Sequence, residues 1–194
     1  APSESDDDRE RRVTALGLMI YSEDQAVLAE AKRQFDSQSL EELPTEIRSL
    51  IISATVRHFE TPEMIDSLFQ IYQQTPSNDL QADITLGLTA TKNPETARTI
   101  LANIKRPDII RPQDASRWFA YLIRTHESRQ LAWNWLKENW TWIKETFAGD
   151  KSYDDFIRYA ATALLTRNEL AEFRHFFEPM LSIPALTRTI ELGI

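Results

Sequence analysis

The sequence contains no cysteine, so it can form no disulfide bond and offers neither a thiol nucleophile nor a cysteine-based zinc site. Glycine is also scarce, with four in 194 residues, and no glycine-rich phosphate-binding loop occurs. No apolar run approaches the ~20 residues that a membrane-spanning helix requires. We therefore expect a protein of a reducing, cytoplasmic compartment that has no membrane partner.

Positive charge is in short supply and unevenly placed. The chain has 22 Lys and Arg against 30 Asp and Glu, for a net charge of −8, which argues against a nucleic-acid partner. Residues 1–97 carry 8 basic against 18 acidic side chains, whereas residues 98–194 carry 14 against 12. An anionic ligand is therefore expected in the second half of the chain.

Apolar residues recur at spacings of three and four almost throughout, which predicts helices. Helix starts are predicted at Ser22, Pro44, Thr61-Pro62, Ser77, Asn93-Pro94, Pro112, Ser128, Ser152, Asn168 and Pro184, after an uncapped first helix near residues 9–20. The starts at 61, 77, 93, 112 and 128 are 16 to 19 residues apart, so a helix pair recurs about every 32 to 35 residues. This period favours an all-α solenoid of about eleven helices in antiparallel pairs, spanning residues 1–194 as a single helical-repeat domain.

Residues suited to catalysis are not arranged in any recognisable pattern. The stretch His126-Glu127 begins the helical zinc-peptidase motif, but Gln130 stands where the second histidine is required. With 30 carboxylates present, no pair is informative. We predict that this chain alone is not an enzyme, has no catalytic residue and binds no metal.

Two helical stretches carry unusual side chains. Arg117, Tyr121 and Arg124 share one helical stripe opposite an apolar face, and could together bind a carboxylate. Alternatively, the stripe is a solvated face that forms ion pairs with neighbouring helices. Further on, Trp133 and Trp140 share one face of a helix while Trp135 and Trp142 share another, which predicts an inner helix packed on both sides.

The ordered set of motifs resembles a known family. The motifs are residues 28–35 (LAEAKRQF), 44–48 (PTEIR), 110–114 (IRPQD), 128–140 (SRQLAWNWLKENW) and 173–177 (FRHFF). Together they look like the C-terminal helical domain of the aminopeptidase N and puromycin-sensitive aminopeptidase family of zinc metallopeptidases. One departure is Ser128, which replaces the glycine usually found before Arg129.

The resemblance implies a right-handed, HEAT/armadillo-like superhelix that encloses the active-site chamber of a zinc aminopeptidase. In such enzymes the zinc and the catalytic residues belong to an upstream peptidase domain, so this domain restricts or helps to bind peptide substrates. The partners would be that upstream domain and the peptide. The sequence is then expected to be an excerpt of a longer C-terminal domain, and the isolated fragment could self-associate. A stand-alone helical-repeat scaffold that binds a protein partner is the alternative.

Overall fold

The computed structural model describes residues 5–149 and 151–193, which form eleven α-helices and no β-strand. The all-α prediction is therefore confirmed. The chain divides into two compact units, of which unit 1 ends at Lys92 and unit 2 begins at Asn93. The predicted single domain remains a prediction.

Unit 1 contains five helices: α1 (Asp6–Tyr21), α2 (Gln25–Ser37), α3 (Thr45–Phe59), α4 (Pro62–Gln74) and α5 (Asn78–Leu88). The odd-numbered helices form one layer, in which α3 packs between α1 and α5. The other two helices lie against this layer, α2 on α1 and α3, and α4 on α5.

Unit 2 contains six α-helices: α6 (Pro94–Asn103), α7 (Ala115–Arg124), α8 (Arg129–Thr146), α9 (Tyr153–Ala163), α10 (Arg167–Phe177) and α11 (Pro184–Glu191). Short 3₁₀ turns occupy Pro112–Asp114 and Glu178–Met180. Here α9 packs between α7 and α11, while α8 contacts α6, α7 and α9. In stacked helical hairpins, each helix typically contacts the helix that follows it and also the one after that. The right-handed superhelix remains a prediction.

The core of unit 1 combines close helix packing with one buried ion pair. Arg48 of α3 donates to Asp83 of α5 at 2.6 Å, and its side chain is only 6% exposed. Gly87 of α5 lies so close to α3 that a Cβ built there would be 2.2 Å from Cγ2 of Ile52. Glycine therefore sets the distance between α3 and α5.

Unit 2 is built around aromatic side chains of α8 that pack in two directions. Trp133 stacks on Phe173 of α10 with ring centroids 6.1 Å apart, and Trp140 meets Phe177 edge-on at 5.2 Å. On the other side, Trp135 lies 6.1 Å from Phe119 of α7. Trp133, Trp135 and Trp140 are all buried. The prediction that α8 is an inner helix packed on two faces is confirmed.

Several predicted helix starts are confirmed by their hydrogen bonds. Thr61, Ser77 and Asn93 each accept a backbone N–H from the first turn of α4, α5 and α6, respectively. Polar side chains at these positions satisfy amide groups that have no partner within the helix.

Three other predicted starts are wrong. The cap of α2 is Asp24 rather than Ser22, because the left-handed conformation of Glu23 (φ 59°) ends the turn after α1. The first helix is not uncapped, since Ser5 accepts from the amide of Asp8. The start of α10 is set by Thr166 rather than Asn168.

Replacing Thr166 with alanine is expected to lower the free energy of unfolding by about 1 kcal/mol. The Thr166 hydroxyl accepts from the Glu169 amide at 3.2 Å, and the Glu169 carboxylate accepts from the Thr166 amide at 2.8 Å. Hydrogen exchange of the α10 amides measures the loss. The matched control is Thr99→Ala on α6, where the hydroxyl donates only to the Glu95 carbonyl of its own helix. Equal effects of the two substitutions would contradict the role of the cap.

Candidate functional site

The α7 stripe consists of Arg117, Tyr121 and Arg124, and it lies on the solvent-facing side of α7. The opposite face is fixed in the core of unit 2 by the fully buried residues Trp118, Phe119, Leu122 and Ile123. Arg117 and Arg124 are exposed and Tyr121 is half-buried. The amphipathic sequence of α7 thus holds the stripe toward solvent by anchoring its other side.

The two arginines of the α7 stripe differ in their surroundings. The guanidinium of Arg124 lies over the ring of Tyr159 on α9, 5.2 Å from its centroid, which is a cation–π distance. Arg117 forms no hydrogen bond or ion pair with any described residue. Neither guanidinium is paired with a carboxylate of the described residues, so both can donate hydrogen bonds to an anionic ligand.

The end of α7 is fixed by two residues that the sequence did not single out as functional. The Ser128 hydroxyl donates to the Leu122 carbonyl at 2.7 Å, and Nε of Arg129 donates to the Ile123 carbonyl at 3.3 Å. Both carbonyls belong to the last turn of α7, where no amide of the helix is available to them. The Ser128-Arg129 pair of the family-like motif therefore has a structural role at the C-terminal end of α7.

Elsewhere in unit 2, Glu172 of α10 joins α10 to α8. Its carboxylate accepts from the indole nitrogen of Trp133 at 2.9 Å and from the ammonium of Lys137 at 3.3 Å. The Trp133 hydrogen bond, and then Lys137, hold the pKa of Glu172 below its ordinary value despite some burial. The ionised form is thus maintained, and the network is structural.

The described residues offer no group of three or more His, Cys, Asp or Glu side chains that could hold a metal ion. His126 and His175 are exposed, and His58 lies next to Phe59 with ring centroids 6.3 Å apart. Burial lowers the pKa of His58, and the positive charge of Lys92 lowers it further. The residues present here do not fit a zinc site. Over the same part of the chain, no helix is both long and apolar enough to cross a bilayer.

These observations define a class: all-α domains of packed helices with a cationic face. Residues 1–194 match the family described as ERAP1-like C-terminal domain, and the chain belongs to this family.

Among curated proteins, the chain is 31% identical to aminopeptidase N of Lactobacillus helveticus over 195 residues, covering 100% of the chain and 23% of that protein. It is also 31% identical to aminopeptidase N of Lactococcus lactis subsp. cremoris, covering 98% of the chain and 23% of that protein. Glutamyl aminopeptidase of Mus musculus is 24% identical, with 86% of the chain and 18% of that protein covered. The chain thus spans about a quarter of the length of its bacterial relatives.

Proposed function

We propose that the chain forms part of the wall of the chamber that encloses the active site of a zinc aminopeptidase. The observation that carries this proposal is the match of the whole chain to the ERAP1-like C-terminal domain family. In this role the domain contributes no reacting group. It restricts which peptides reach the active site and helps to bind those that enter. Zinc and the catalytic residues belong to the upstream peptidase domain of the parent, which is the partner of this domain.

The α7 stripe is the proposed contact with the peptide. Arg117 and Arg124 are seven residues apart, which separates their backbones by about 10 Å along the helix. Guanidinium groups bind carboxylates through paired, charge-assisted hydrogen bonds, and the phenol of Tyr121 lies between them. The absence of a carboxylate partner within the described residues supports this role. The ligand group would be a carboxylate of a long peptide, at a distance from its reacting end.

A stand-alone scaffold that binds a protein partner is the second candidate, and it is supported less well. The matched relatives are aminopeptidases from bacteria and a mammal, each several times longer than this chain. A His-Glu-x-x-His motif upstream in the parent reading frame would favour the aminopeptidase domain, and its absence would favour the scaffold. A single domain across both units and a cytoplasmic location of the parent are further parts of the proposal.

The Arg117→Ala, Arg124→Ala double variant in the full-length parent tests the role of the stripe. We expect KM for a ten-residue peptide to rise about tenfold, the equivalent of losing about 1.4 kcal/mol of binding. The kcat/KM for a dipeptide-like substrate should not change, because such a substrate does not reach the stripe. The matched control is Arg167→Ala at the exposed start of α10. An unchanged KM for the long peptide would rule out this role.

A further inference from the structure

A cavity of unit 1 lies beside α2 and α4. It is lined by residues of α2, of the loop 38–41 that follows α2, of the end of α3, and of α4 with its cap. Its volume is about 430 Å³, which lies within the range of ligand sites in proteins. We call it the α2–α4 cavity. None of its lining residues belongs to unit 2, which contains the α7 stripe.

The apolar lining of the α2–α4 cavity is only partly covered by the protein itself. The apolar residues that line it are Phe35, Leu40, Phe59, Met64, Leu68 and Ile71. Leu40 and Leu68 are buried, but Phe59 is 37% exposed and the other three are half-buried. A ligand with an apolar body would remove this surface from water, which favours its binding.

Three charged side chains line the same cavity, and they leave an excess of negative charge. The ammonium of Lys32 donates to the carboxylate of Asp36, one turn further along α2, so these two charges are paired. The carboxylate of Glu41 is exposed and forms no hydrogen bond or ion pair with any described residue. Residues 1–97, which include unit 1, carry 8 basic against 18 acidic side chains. The cavity and its surroundings therefore favour a cation.

Two phenyl rings and two hydroxyl groups of the lining suit an ammonium group. Phe35 and Phe59 carry rings of the kind on which an organic cation binds. The hydroxyls of Ser39 and Ser67 have no partner within the part of the chain that the structure describes. Each can accept one of the three N–H donors of a primary ammonium, while Glu41 accepts another.

We propose that the α2–α4 cavity binds a small organic amine, in which an apolar body is joined to a primary ammonium group. The apolar body covers Phe59 and Met64, and the ammonium pairs with the carboxylate of Glu41. Because the cavity lies in unit 1 and the α7 stripe lies in unit 2, this inference does not depend on the proposed function.

The test compares 3-phenylpropylamine, 3-phenylpropan-1-ol and 3-phenylpropanoate, which share one carbon skeleton and differ in charge. Each is titrated into the chain with ¹³C-labelled methionine methyl groups and followed by NMR. We expect the methyl resonance of Met64 to shift, and those of Met19 and Met180, which do not line the cavity, to stay unchanged. The alcohol should bind about tenfold more weakly than the amine, and the carboxylate more weakly still. Equal binding of amine and alcohol, or no shift of Met64, overturns the proposal.

Variants locate the ammonium group and the apolar body. Glu41→Gln should weaken binding of the amine about tenfold and leave binding of the alcohol unchanged. The matched control is Asp66→Asn, which removes an exposed carboxylate of α4 that does not line the cavity. If Asp66→Asn weakens amine binding as much as Glu41→Gln does, the assignment of the ammonium to Glu41 is wrong.

Ser67→Phe tests whether the ligand occupies the cavity itself. Ser67 is exposed on α4, so a phenyl ring at this position fills the cavity without disturbing the core. This variant should abolish binding of both the amine and the alcohol, while its far-UV circular dichroism stays that of the unaltered chain. Unchanged binding of the amine to Ser67→Phe would show that the ligand binds elsewhere, and the proposal would be wrong.

Discussion

Replacing Asp83 with alanine is expected to lower the free energy of unfolding of unit 1 by about 3 kcal/mol, the lower end of the range for breaking a buried ion pair. Asp83 is the partner of Arg48, whose guanidinium would remain buried without its carboxylate. A charge in that position loses its hydration without gaining a compensating interaction. Asp83 itself is 20% exposed, and the gain in helix propensity from alanine offsets part of the loss, which is why the lower end applies.

Hydrogen exchange at the core amides of α3 and α5 measures this loss, because all five tryptophans lie in unit 2 and do not report on unit 1. The control in the same unit is Arg9→Gln, which breaks the exposed pair with Asp6 of α1 and should change stability by less than about 0.5 kcal/mol. The double variant Arg48→Met, Asp83→Leu removes both charges and should recover most of the loss. If Asp83→Ala costs no more than Arg9→Gln, the pair is not a significant part of the core.

Replacing Gly87 with alanine is expected to destabilise unit 1 by about 2 kcal/mol, although alanine normally favours a helix over glycine by about 1 kcal/mol. The added methyl group would overlap Ile52, whose Cβ lies 2.9 Å and whose backbone carbonyl carbon lies 3.4 Å from the position that the new atom would take. Relief requires α3 and α5 to move apart, which weakens contacts along both helices.

Gly17→Ala on α1 is the matched control in the same unit, because the nearest atom to a Cβ at that position is Cδ2 of Leu50 at 4.0 Å and no glycine of the described residues has a positive φ. That substitution should be neutral or stabilising by up to about 1 kcal/mol. Thermal unfolding followed by far-UV circular dichroism, together with hydrogen exchange in α5, compares the two variants. A stabilising effect of Gly87→Ala would contradict the close approach of α3 to α5.

The helical architecture was predictable because its signals are local. Thr61 and Asn93, each followed by proline, mark helix starts by the same chemistry that the structure uses. Near Ser22, however, two polar residues compete for the cap, and only the left-handed backbone of Glu23 decides in favour of Asp24. At α10 the sequence offers both the Thr166–Glu169 capping box and Asn168 as a cap, and the structure uses the capping box.

The candidate site was predictable only in part. Helical spacing was enough to predict that Arg117, Tyr121 and Arg124 lie opposite the buried face of α7. The position of Arg124 over Tyr159 joins residues 35 apart in sequence, and no local pattern indicates such a contact. The same holds for Arg48, which sits among apolar residues of α3 and finds its partner Asp83 on α5. Tertiary packing, rather than periodicity, determines these pairs.

The proposed contact between the α7 stripe and the peptide is tested most directly by photo-crosslinking from position 121 in the full-length parent enzyme. With p-benzoylphenylalanine in place of Tyr121, irradiation should attach a ten-residue peptide to the protein, and excess unlabelled peptide should prevent the attachment. The same group in place of Ala171, an exposed residue of α10, should give no adduct. Crosslinking at position 171 but not at position 121 would contradict the claim that the α7 stripe faces the chamber in which the peptide binds.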